Sequence, residues 1–206
     1  GLVHYSNDGG ENWRQAMPPA LPERAFVNDV EASRHDADGA FVVADNHKTG
    51  DYRPMLFATN NGGRQWRDIS GDLPDGVIVW AIQQDHVEPG LLYLAAENGM
   101  YVTLDGGEKW RRLPGPTIAF RDLKLQRRDD DLVGATFGLG VYVLDDIGPL
   151  RELAARVRQG EAALAEGSTT LFGVRDAWWY IPSTPGQAPG LPSQGSDEWR
   201  GPNPQM

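Results

Sequence analysis

Carboxylate, amide and aromatic side chains are densest in "DNHKTGDYRP" (45–54), which places Asp45, Asn46, His47, Lys48, Asp51, Tyr52 and Arg53 close together in the chain. Planar amides, carboxylates and rings of this kind bind a glycan by hydrogen bonding and stacking. The same composition also suits a loop that is simply solvated. Further carboxylates follow at Asp72, Asp75 and Glu97, the last beside Asn98. Glycoside hydrolysis needs two carboxyl groups across the sugar, one as acid and one as base or nucleophile. Asp51, Asp75 and Glu97 are therefore the candidates for catalysis. Asp45, Asn46, His47, Tyr52, Arg53 and Asn98 are the candidates for ligand contact. His4, His35, His47 and His86 lack metal-ligand spacing and the chain has no cysteine, so neither a metal nor any other cofactor is expected. A phosphate-cradling loop and a nucleophile elbow are also absent from the sequence.

The framework that must position these residues repeats. "SNDGGENW" (6–13), "TNNGGRQW" (59–66) and "TLDGGEKW" (103–110) share Ser/Thr, Asx, Gly-Gly and Trp. Their spacing of roughly fifty residues is the length of a four-stranded propeller blade. Each residue type has a local task that needs no substrate. Asp8, Asn61 and Asp105 accept hydrogen bonds from amides two residues on and so hold a tight turn. Gly9, Gly10, Gly62, Gly63, Gly106 and Gly107 supply the positive φ that such a turn demands. Trp13, Trp66 and Trp110 bury aromatic surface against a neighbouring strand. The repeat reads as a self-fastened hairpin with a structural role, and each copy has too few carboxylates for a calcium cage.

Between the repeats, strands are expected in "AFVNDVEASRH", "GAFVVADN", "PMLFATN" and "QWRDIS", and again in "VIVWAIQQD", "LLYLAAEN", "GMYVTLD" and "KWRRL". These make two whole blades. "GLVHYSND" and "NWRQAM" supply the last two strands of a blade before them, and "RDLKLQ", "DLVGATF" and "GVYVLDD" the first three of a blade after them. Closed propellers have about four to eight blades, so a chain with about three and a half is expected to be a piece of a longer one. The fold class is all-β, a partial propeller over 1–148. A helix beginning near Pro149, with Leu150, Leu153, Ala154 and Val157 on one face and Gly160 weakening its middle, and a closing strand from Thr169 occupy 149–181. The remainder, 182–206, is a Pro/Gly-rich tail or linker. Trp178 and Trp179 point to opposite faces of that closing strand and are assigned to packing.

With 29 acidic against 19 basic residues, the net charge is -10, which repels nucleic acid and anionic membrane surfaces. The longest apolar run, "VIVWAI", is too short to cross a bilayer, so no membrane insertion is expected.

The three boxes resemble the Asp-box, or BNR, repeat of sialidase-like and sortilin-like β-propellers, with Asn61 where Asp is usual. A wider resemblance, from Gly1 to Trp179 and including "LDDIGPLREL", is to the large bacterial BNR-repeat proteins assigned as glycosyl hydrolases and related to the sortilin/VPS10 propeller. That resemblance implies two multi-bladed propellers in a much longer, frequently exported chain, of which this one supplies the last blades. It implies that the missing blades of the parent are partners and that the boxes lie on the face opposite the ligand. Binding then belongs to loops such as "DNHKTGDYRP" between second and third strands. Where these proteins read Thr-His-Gly-Arg-Gly, this chain has Thr136, Phe137, Gly138, Leu139 and Gly140, an apolar pair in place of a polar one. Two functions follow from the likeness. One is carbohydrate binding or hydrolysis by the full-length protein, with this piece alone inactive. The other is a non-catalytic propeller that binds a peptide or protein.

Overall fold

The computed structural model describes residues 1–161 and 169–173, nearly all in one unit spanning Gly1–Leu171. Trp178, Trp179 and the prolines from Pro182 onward lie outside the described residues. Four antiparallel sheets succeed one another along the chain, each made of consecutive strands. The first pairs β1 (His4–Tyr5) with β2 (Arg14–Gln15). The second runs β3 (Phe26–Ala32), β4 (Ala40–Asn46), β5 (Asp51–Thr59) and β6 (Arg67–Asp68). The third runs β7 (Val79–Gln84), β8 (Leu92–Ala96), β9 (Gly99–Thr103) and β10 (Trp110–Arg112). The fourth holds β11 (Phe120–Gln126), β12 (Asp131–Thr136) and β13 (Val141–Leu144). The chain is a partial β-propeller, as the repeat and the strand pattern indicate.

In the second, third and fourth sheets the first strand lies innermost, and β7 packs on both β3 and β11. Strands held between two sheets read as unbroken apolar runs: every residue of β8, "LYLAA", is buried, as is every residue of β9. One core, built on Val43, Leu56, Ile69, Ile82, Leu94 and Trp110, fills the space between the second and third sheets. Another, built on Tyr93, Phe120, Leu123 and Leu132, joins the third to the fourth and takes in Ile147 and Ala154. β13 alternates instead, with Val141 and Val143 exposed, because only one of its faces is covered.

The three repeats form the hairpins that follow β1, β5 and β9, and their hydrogen bonds are nearly superimposable. Ser6 Oγ, Thr59 Oγ1 and Thr103 Oγ1 accept the amides of Gly10, Gly63 and Gly107 at 2.9, 3.0 and 3.0 Å. The Asx oxygens accept amides three and four residues on, rather than two: Arg64 and Gln65 donate to Asn61 Oδ1, as Glu108 and Lys109 donate to Asp105 Oδ1. Asn61 thus uses its amide oxygen as Asp105 uses its carboxylate. At Gly107, φ is +98° and a Cβ would lie 2.6 Å from the Ile69 Cβ, so both the backbone angle and the neighbouring sheet exclude a side chain.

Three further expectations are corrected. "DNHKTGDYRP" is not a ten-residue loop, since β4 and β5 run on and leave only His47–Gly50 between them. Asp45 and Asn46 are buried as a result. Trp13 does not bury its ring: it is 63% exposed against 4% for Trp110, because no described residue packs on that side of the first sheet. Gly160 does not lie in the middle of a helix. The helix α1 (Gly148–Arg158) stops before it, with Pro149 in its first turn and Gly160 at φ +81° just past its end. Residues 169–173, at the start of the expected closing strand, are irregular.

Candidate functional site

The innermost strands share an irregularity near one end. The pairing of β3 on β4 skips Asn28, that of β7 on β8 skips Trp80, and that of β11 on β12 skips Arg121. Each is the extra residue of a β-bulge, which breaks the two-residue alternation and re-aims a side chain. Here three bulges on three adjacent strands turn an amide, an indole and a guanidinium towards one rim. This is the rim carrying the turns between second and third strands, on the side opposite the Gly-Gly hairpins.

The side chains at this rim touch across the sheets. Trp80 Nε1 donates to Glu97 Oε2 at 2.8 Å. The Arg121 guanidinium lies 3.6 Å from the centre of the Trp80 ring and 5.4 Å from that of Phe137. It also reaches Glu97 Oε2 at 3.4 Å, so one carboxylate oxygen anchors both partners of the stack. A stacked cation of this kind contributes about 0.5–2 kcal/mol, more as water is excluded. His47 meets Trp80 edge-on, with centroids 6.1 Å apart. Its Nδ1 contacts Asp45 Oδ1, which holds the ring at this edge of the rim. Asn28 Nδ2 donates to Asp45 Oδ2 at 2.7 Å and to the Val79 carbonyl at 2.8 Å, tying the second sheet to the third. Lys48 lies 4.2 Å from the Phe26 ring centre.

The candidates from the sequence divide into two groups. Asp45, His47 and Glu97 join this rim. Asp51, Tyr52 and Arg53 stand further along β5, where Arg53 grips Asp51 through Nε at 2.9 Å and through a second nitrogen at 2.7 Å. Those bonds hold the Asp51 carboxyl below the ordinary range. The inter-sheet segment carrying Asp75 reaches β5 through the Gly76 amide, which donates to the Tyr52 carbonyl at 3.0 Å. Asn98 turns outward: its Oδ1 accepts from Tyr101 and its carbonyl from Arg112. Asn46 is buried with its Oδ1 unpartnered among the described residues, and it does not join the Trp80 group. A carboxyl raised by burial does occur, but on an inner strand: Asp29, whose Oδ2 accepts the Ile82 amide at 3.0 Å.

Phe26, Asn28, Trp80 and Arg121 were not candidates from the sequence. Their signal is positional: aligned on the repeat, Asn28, Trp80 and Arg121 fall in one column near the start of each innermost strand.

No family model and no curated protein matches this chain. Solved structures do. An ancestral GH74 enzyme is similar with a TM-score of 0.52 at 17% identity, over 65% of this chain and 19% of that one. YCF48 bound to a D1 peptide is similar with a TM-score of 0.49 at 18% identity, over 71% of this chain and 45% of that one. YCF48 from Cyanidioschyzon merolae gives 0.46 at 21% identity, over 70% and 50%. These neighbours are β-propellers. The chain spans half or less of each of these structures, and at such identities the likeness is one of fold.

Proposed function

We propose that this chain forms part of the recognition face of a larger β-propeller and that the Trp80 rim binds a peptide without chemical change. The observation that carries this reading is the engagement of Glu97. Its Oε2 is held by the Trp80 indole and the Arg121 guanidinium, and the guanidinium covers a face of the indole. A sugar would need that ring face open and a carboxyl group available to deliver or take a proton. Asp51, one of the other two carboxylates considered for catalysis, is kept ionised by Arg53 and is badly suited to act as an acid. What the rim offers instead is apolar surface beside cations. Phe137 is 72% exposed, Leu139 is exposed in the same turn and Phe26 on β3, and Arg121 and Lys48 lie against aromatic rings. A peptide with one large apolar side chain and one carboxylate fits that pairing. In this reading, further blades complete the ring beyond β13, whose valines are uncovered.

The test is to probe the chain against arrayed peptides and arrayed glycans in parallel. Acidic-apolar peptides should bind, and Arg121→Ala should weaken them about tenfold or more. Binding confined to glycans, with Arg121→Ala neutral, would refute the proposal and return the rim to the carbohydrate reading.

A further inference from the structure

On the opposite face, where the Gly-Gly hairpins and the turns between first and second strands lie, two neighbouring grooves between sheets differ in one respect. The groove between the third and fourth sheets is filled by α1. Ile147 and Ala154 share an apolar cluster with Leu91, Tyr93 and Val102, and Leu104 and Leu150 pack against it. Arg151 Nε donates to both oxygens of the fully buried Asp85 at 3.0 Å, and Arg158 Nε donates to Glu88 at 2.8 Å. The groove between the second and third sheets, with a volume of about 440 Å³, holds no segment of the described chain.

The strand registers relate the two grooves position by position. Ala40 pairs with Ala32 and Thr59 as Leu92 pairs with Gln84 and Thr103. Ser33 therefore stands where Asp85 stands, Asp36 where Glu88 does, and Phe41 where Tyr93 does. The turns close alike: Ser33 N donates to Gly39 O and Gly39 N to Asp36 O, matching Asp85 N to Leu91 O and Leu91 N to Glu88 O. At three further positions a large apolar residue is replaced by a smaller or polar one, with Gly39 for Leu91, Ala58 for Val102 and Asn60 for Leu104. The open groove keeps an apolar floor of Phe41 and Leu92 and has smaller residues at these three wall positions.

We propose that this groove is a docking site for an amphipathic helix of a partner protein, seated as α1 is seated one sheet further on. The registers state what the helix must carry. Large apolar residues take the places of Ile147, Leu150 and Ala154, spaced i, i+3 and i+7. A basic residue in the last turn takes the place of Arg158 and meets Asp36. No arginine is required at the place of Arg151, because Ser33 brings no buried charge to that point.

The probe is a fluorescein-labelled synthetic peptide with the sequence of residues 147–159, with Gln in place of Arg151 and Leu in place of Ala154, titrated against the full chain by fluorescence anisotropy. Saturable binding to one site is expected. Asn60→Trp, which fills the groove from an exposed position, and Asp36→Lys, which reverses the charge at the place where the basic residue docks, should each weaken binding about tenfold or more while leaving the circular dichroism melt unchanged. Arg121→Ala, on the other face, should leave it unaltered. Absence of saturable binding, or binding that both groove variants leave within twofold, overturns the proposal; the latter result would place the peptide in the groove of α1. Concentration-dependent dimers of the peptide-free chain that Asn60→Trp abolishes would also overturn it, in favour of a second copy as occupant.

Discussion

Replacing Trp110 by Ala should cost far more than the same change at Trp13, although the two residues occupy one position of the repeat. Trp110 is 4% exposed, lies in the core between the second and third sheets, and donates from Nε1 to the buried Ile69 carbonyl at 2.9 Å. Truncating a buried tryptophan costs about 3–5 kcal/mol, and orphaning the Ile69 carbonyl adds about 1 kcal/mol or more. Trp13 is 63% exposed and donates only to Gly10 within its own hairpin. Its loss should cost no more than about 1 kcal/mol. A gap of about 3 kcal/mol is a large share of the 5–15 kcal/mol by which domains are commonly stable. Trp66, half-buried and with its Nε1 unpartnered among the described residues, should fall between the two. Urea unfolding followed by far-ultraviolet circular dichroism is the suitable assay, because each variant removes a fluorophore. The comparison holds for variants whose m-value is unchanged. Trp13→Ala and Trp110→Ala midpoints equivalent to within about 1 kcal/mol would refute the assignment of one ring to the core and the other to solvent.

Removing the Arg151 side chain should destabilise by about 3 kcal/mol, because Asp85 stays fully buried while the amides of Val87 and Glu88 still satisfy one oxygen. Thermal melts of Arg151→Ala should show this, and adding Asp85→Ala should recover part of the loss. Asp29 has a folded pKa above its unfolded one, so the native state binds the proton more readily and its ionisation lowers stability as pH rises through the folded value. Asp29→Asn should therefore stabilise at pH 7 and not at pH 3; destabilisation at pH 7 would show that attraction to Lys124 outweighs burial. Asp8 is the opposite case, held at about 2 first by the Asn12 amide and then by Ser6 and the Asn12 side chain. Its stabilising bonds are complete above the unfolded value near 4 and are lost as pH falls through about 2. A carboxyl-carbon titration of Asp8 by nuclear magnetic resonance with a midpoint near the unfolded value would contradict the hairpin geometry.

The fold was legible because its signals are local. Alternation, turn glycines and the repeat period each act over a few residues, and every expected strand up to Val141–Leu144 appears within a residue or three of its place. Burial was less legible because it depends on which sheet stands next door. Identical turn chemistry surrounds Trp13 and Trp110, yet only the latter has a core to enter. Strand ends failed for a related reason: "DNHKTGDYRP" has the composition of a loop, but pairing with β4 extends β5 back to Asp51 and closes the turn with His47–Gly50 alone.

The rim escaped a residue-by-residue reading because it is made by bulges. Alternation places Trp80 on the same footing as any large residue of an inner strand, where packing is the ordinary outcome. A bulge at Trp80 alone would mean little, since such irregularities also serve only to twist a sheet. The same skip at Asn28, Trp80 and Arg121, in three sheets with different sequences, is harder to attribute to local accident. It delivers three unlike polar or aromatic groups to one place and links them through Asp45 and Glu97, two of the carboxylates the sequence had marked. The repeat therefore carries positional information in both of its faces: the Gly-Gly hairpins fasten each sheet to the one before it, and the bulged column sets which side chains gather at the other end.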